Sequence, residues 1–111
     1  MTVLIFENNL MWSPRLVKSV EGLGHKAVVV DRIPDEFPEA DIAILNLGYG
    51  PEDQMKELIA LLRDRNVHVI GHAGHKEKEK LEVGKEMGCD RLATNSEITF
   101  KLDRLLNEAV I

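Results

Sequence analysis

Residues 41–48 read DIAILNLG, and this stretch decides the fold. From Ile42 to Leu45 every side chain is apolar, without the alternation of a strand that has one wet face. A short continuous run of this kind belongs to a strand covered on both sides, as in a parallel sheet. Asn46 then ends the run, followed by Leu47 and Gly48. Outward in both directions the pattern returns. Thr2–Phe6 (TVLIF), Lys26–Val30 (KAVVV) and Val67–Ile70 (VHVI) are further buried strands, and Arg91–Thr94 (RLAT) is a weaker version.

Helical patterns fill the spaces between. Ser13-Pro14 reads as an N-cap followed by proline at the first helical position. Leu16, Val20 and Leu23 then share one face, and Gly24 supplies a C-terminal stop. Pro51-Glu52-Asp53 opens a second helix, with acids where the helix dipole favours them and Met55, Leu58, Ile59 and Leu62 inward. A third runs over Lys76–Met87, polar in its first half and closed by Gly88. The last begins near Asn95-Ser96 and continues to about Ala109, with Ile98, Leu102, Leu105 and Leu106 inward. Strands alternating with crossover helices predict a parallel sheet between two helical layers. One crossover is irregular: Asp31–Ala40 (DRIPDEFPEA) holds two prolines and leaves space for one helical turn at most.

The chain has 111 residues, enough for a single domain spanning 1–111. Hydrophobic residues make up 44% and charged residues 30%, the balance of a globular chain. A net charge of −5 disfavours non-specific nucleic-acid binding. No apolar run approaches the roughly 20 residues that a bilayer requires, and Met1–Phe6 lacks the basic lead of a signal peptide. The lone Cys89 excludes an internal disulfide. The expectation is a soluble cytoplasmic domain.

In an open parallel sheet, ligands gather at the carboxyl ends of the strands. Those ends carry Glu7, Asn8 and Asn9, then Asn46 to Gly50, Gly71 to His75, and Asn95-Ser96, with Trp12 on the first loop. Here the chain resembles the receiver domains of two-component response regulators, with their flavodoxin-like fold, from Thr2 to Ala109. The resemblance is carried by VLIFENN (Val3–Asn9), DIAILNLG (Asp41–Gly48) and MGCDRLATNS (Met87–Ser96). It implies a three-layer α/β domain with five parallel strands in the order 2-1-3-4-5, and the prolines of Asp31–Ala40 add the expectation that the helix after the second strand is shortened or missing.

The same resemblance locates a chemistry that these residues do not supply. Glu7 and Asn8 stand where receivers hold Mg²⁺ with a carboxylate pair, and Asn46 stands at the phospho-accepting aspartate. Ala73 replaces the hydroxyl that senses the phosphoryl group, Asn95 the lysine that pairs with it, and Leu92 the switching aromatic. Phosphoryl transfer needs an anionic nucleophile and neutralisation of charge. An asparagine amide is a poor nucleophile, and Glu7 alone is a thin site for Mg²⁺. The expectation is a pseudo-receiver: a non-enzymatic signalling or adaptor module without a cofactor, acting on a protein partner. Two surfaces are implied. One is the strand-end rim with Trp12, Tyr49 and His72. The other is built by the helix after strand four, strand five and the last helix, through which receivers often form homodimers. The alternative is a small-molecule or nucleotide binder using Asn8, Asn46, His72 and Asn95. Glu7 with His72 is the only dyad for an enzymatic reading, and no serine or cysteine is placed beside it.

Other features read more plainly. His72 and His75 lack a third ligand fixed by spacing, which makes loop or surface histidines the simpler account. Cys89 reads as a small buried side chain. Gly22–Asp31 is similar to part of a dinucleotide-binding unit, but the loop after strand one, ENNLMWSP, has no glycine. The alternating charges of His75–Lys80 suit a solvated helix face, and Phe100 either packs or faces a partner.

Overall fold

The computed structural model describes residues 1–7, 12–30, 39–48, 50–74 and 77–109. Its strands are β1 (Thr2–Phe6), β2 (Lys26–Val30), β3 (Ile42–Asn46), β4 (His68–Ala73) and β5 (Arg91–Thr94). Its helices are α1 (Ser13–Gly22), α2 (Glu52–Asp64), α3 (Lys78–Glu86), α4 (Asn95–Phe100) and α5 (Leu102–Ala109). All pairings are parallel, in the order β2-β1-β3-β4-β5. The Asp31–Pro38 part of the crossover, on which the shortened-helix expectation falls, lies outside the described residues, as do Asn8 and Tyr49.

The continuous apolar runs sort into two cores because successive strand side chains point to opposite faces. Val3, Ile5, Ile42, Ile44 and Ile70 pack with Leu16 and Val20 of α1 and with Ile98, Leu102, Leu105 and Leu106 of α4 and α5. Leu4, Phe6, Ala43, Leu45 and Val69 face Met55, Leu58, Ile59 and Leu62 of α2. Only Gly84 of α3 is fully buried. A Cβ there would sit 2.9 Å from Leu47 Cδ1 and 3.0 Å from Leu92 Cδ2, so α3 lies unusually close to the sheet. Alanine favours a helix over glycine by about 1 kcal/mol, but overpacking a filled core costs about 1–3 kcal/mol. The clash is expected to win. Gly84→Ala should lose about 1 kcal/mol of stability, read as a lower urea midpoint at constant m-value; a more stable variant would show that Leu47 and Leu92 yield freely.

Four expectations need correction. Ser13 is not the cap of α1: Trp12 holds that position without a side-chain cap bond, and Ser13 is itself helical. Leu23 falls beyond the last turn and is exposed, leaving Leu16 and Val20 as the buried stripe. The final helix is two helices, broken at Lys101 (φ −127°, ψ 25°). Finally, β4 runs three residues beyond Ile70, which moves Gly71, His72 and Ala73 from a loop into the sheet. Gly71 fits there because a Cβ would come within 2.8 Å of Cys89 Sγ.

Candidate functional site

Parallel pairing brings the carboxyl ends of β1, β3, β4 and β5 to one edge. Asn46 lies opposite His72 in the β3–β4 register, and Ala73 opposite Thr94 in β4–β5. Glu7 directly follows β1 and is 2% exposed. Both its carboxylate oxygens accept from Asn46 Nδ2, at 2.8 and 3.1 Å. Asn46 Oδ1 in turn accepts from the Gly48 N–H at 2.8 Å, an Asx turn that locks the amide in place. Asn46 is thus engaged at both ends of its side chain.

His72 completes the cluster from the neighbouring strand. It is 1% exposed, so the loop or surface reading does not hold for this histidine. The extra residues of β4 place it between β3 and β5, where neighbours cover both sides. Its Nδ1 lies 2.8 Å from Asn95 Oδ1, which makes Nδ1 the protonated nitrogen of the neutral ring. Nε2 faces Glu7 Oε2 at 3.8 Å and has no hydrogen-bond partner among the described residues. Burial holds the imidazole below its ordinary pKa, against the smaller upward pulls of Asn95 and Glu7. The Trp12 ring covers it, with centroids 6.2 Å apart and planes tilted by 48°.

Asn95 is presented by the start of α4. There Thr94 and Glu97 form a capping box: Thr94 Oγ1 accepts from the Glu97 N–H, and the Glu97 carboxylate accepts from the Thr94 N–H. The Thr94-Asn95-Ser96-Glu97 spacing carried this signal in the sequence. Ala73 is buried at the end of β4 and offers only a methyl group. Leu92 is half-buried on β5. Of the expected site residues, Glu7, Asn46, His72 and Asn95 therefore form one contiguous polar cluster with Trp12 above it.

Lys80 is the residue that sequence reasoning missed. A Cβ on Gly48 would lie 3.3 Å from Lys80 Nζ and 3.4 Å from Asn46 Oδ1, which places an ammonium group at the rim of the cluster. Lys80 also pairs with Glu77 at 2.6 Å, and Glu77 accepts from the Gly74 N–H. These two bonds hold the Glu77 carboxyl below its usual value. Cys89 stays protonated at neutral pH, its thiol pushed up to about 11 chiefly by burial. Among the described residues no three His, Cys, Asp or Glu side chains gather as a metal set, and no helix is long and apolar enough to cross a membrane.

No protein-family model matches the sequence, and no curated protein matches it. Solved structures do resemble it. A response regulator from Thermotoga maritima superposes with a TM-score of 0.78 at 13% identity, covering 99% of this chain and 98% of that one. HP1043, an orphan response regulator of H. pylori, gives 0.75 at 15% identity, with 98% and 96% covered. The receiver domain of TorR, from the TMAO respiratory system, gives 0.73 at 21% identity, with 97% and 98% covered. The five-stranded parallel sheet, its 2-1-3-4-5 order and its helical layers are thus those of response-regulator receiver domains, and the receiver fold is the fold of this chain.

Proposed function

We propose that this chain is a pseudo-receiver: a non-catalytic, cytoplasmic signalling or adaptor module that binds a protein partner and does not switch by phosphorylation. One observation carries the reading. Asn46 stands at the receiver acceptor position with its amide donated to Glu7 and its oxygen held by the Gly48 N–H. An amide cannot serve as the anionic nucleophile of phosphoryl transfer, and this one is already committed. Lys80 brings a cation to the rim, but a cation without a nucleophile does not restore the reaction. The orphan regulator HP1043 shares the fold, so a receiver fold in an orphan regulator has a precedent.

The small-ligand alternative draws less support, because Asn46 is bonded to Glu7 and Gly48 and His72 Nδ1 to Asn95 Oδ1, although His72 Nε2 has no hydrogen-bond partner among the described residues. The reading includes self-association through α3, β5 and α5. On that face Arg91 pairs with Glu97 and Glu108, and Arg104 with Glu108.

The test is an amide NMR titration, first with Mg²⁺ and then with beryllofluoride, beside intact-mass measurement after incubation with acetyl phosphate. The expected result is unmoved signals at Glu7, Asn46 and Asn95 and no phosphoryl adduct. Saturable shifts at those residues, or an adduct, would overturn the reading.

A further inference from the structure

We infer that the groove between α1 and α4 is a docking site for an acidic, amphipathic segment of a partner protein, with an apolar side chain seated against Phe100. The inference rests on the partner-binding reading above and adds the surface and the chemistry of the partner. Phe100 is 81% exposed, about twice as much as Leu23, Val29 and Leu61, the other exposed large hydrophobics among the described residues. A single exposed apolar residue is ordinary. Phe100, however, walls a groove of about 400 Å³ whose floor is Leu16 and Ile98 and which Trp12 also lines. The volume lies within the range of roughly 300–1,000 Å³ typical of ligand pockets.

Charge selects the occupant. Arg15 and Lys18 line the groove together with these apolar groups, and among the described residues no acidic side chain does. Neither of them, nor Lys101 beside Phe100, forms an ion pair among the described residues. Glu97, the acid closest in sequence to Phe100 on α4, is engaged by Arg91 and by its own capping box. A chain of net charge −5 therefore presents a local basic rim around an aromatic wall. Aromatic and arginine side chains dominate interface energetics, and an amphipathic helix laid in a groove uses this combination. Two or three cations are too few for a nucleic-acid footprint. A concave surface also suits a side chain better than a flat bilayer.

The experiment is selection of binders to the full chain from a random 16-residue peptide display library. Affinities are then measured by fluorescence of Trp12, the sole tryptophan. Selected peptides should be enriched in Asp and Glu around a Leu or aromatic anchor, and should bind more weakly as salt rises. Phe100→Ala and the double variant Arg15→Glu/Lys18→Glu should each weaken them about tenfold or more, with far-UV circular dichroism unchanged because all three side chains are exposed. No selected peptide, peptides without acidic enrichment, or binding that survives the substitutions would overturn the inference. So would preferential binding to vesicles of phosphatidylglycerol and phosphatidylcholine that the same variants abolish. Any of those results beside an unresponsive beryllofluoride titration removes this surface and leaves the pseudo-receiver reading standing; a positive titration removes the latter independently.

Discussion

Asn46→Asp is expected to lose about 3–5 kcal/mol of stability at neutral pH, the cost of leaving a buried charge uncompensated. In the native chain one amide nitrogen donates to both oxygens of Glu7, which is 2% exposed. The substitution removes that donor and sets a second carboxylate about where the nitrogen stood. The pair then shares a proton, with one carboxyl pKa raised in the folded state above its unfolded value. Stability contributed by such a group is present below the unfolded value and lost as pH rises through the folded one. The deficit should therefore shrink toward pH 4 and grow toward pH 8. Asn46→Ala separates the effects, because it deletes the donor without adding charge and should cost only about 1–3 kcal/mol. The new carboxylate pair should also gain a response to Mg²⁺, which binds through one or two carboxylates, so the melting temperature of the aspartate variant should rise with Mg²⁺ while that of the native chain stays level. An aspartate variant as stable as the native chain at neutral pH would show that the Glu7–Asn46 bonds contribute nothing.

Much of this arrangement is legible in the sequence. Val3 to Phe6 and Ile42 to Leu45 are apolar without interruption, and burial on both faces is the economical explanation of such runs. Their order then set Glu7, Asn46 and Asn95 at one edge. The parts that escaped reading depend on partners distant in sequence. Gly71-His72-Ala73-Gly74 has the composition of a loop, yet β3 and β5 flank its first three residues and draw them into the sheet. Nothing local announces this, because burial of His72 comes from the register Asn46↔His72 and from the Trp12 ring. The break at Lys101 was equally hidden. Ile98, Leu102, Leu105 and Leu106 keep helical spacing across it, and neither glycine nor proline marks it. Lys80 sits in a charge run that reads as solvated, and only the close seating of α3 at Gly84 accompanies its approach to Gly48.

The consequence of burying His72 is a loss of stability in acid that begins well above the range where carboxylates titrate. Two influences oppose each other at this ring. Removal from water disfavours the imidazolium, whereas Asn95 Oδ1 at 2.8 Å and the Glu7 carboxylate at 3.8 Å favour it. Burial is the largest of the three and holds the pKa below 6.5. The attraction of Glu7 is blunted, since both its oxygens already accept from Asn46. As pH falls below about 6.5 the unfolded chain therefore takes up a proton before the folded chain does. Stability is complete above that value and declines, at up to about 1.4 kcal/mol per pH unit, until the folded histidine also titrates. Denaturant unfolding of the native chain between pH 7.5 and 5 should show this decline, and His72→Gln, which cannot titrate, should flatten it over the same window. His72→Gln should also be less sensitive than the native chain to Asn95→Ala, because the neutral imidazole donates from Nδ1 to that amide oxygen. A native chain that grows more stable as pH falls from 7 to 5.5 would reverse the sign. Glu7 would then outweigh burial, and the cluster would be a buried ion pair rather than a neutral histidine held beside a carboxylate.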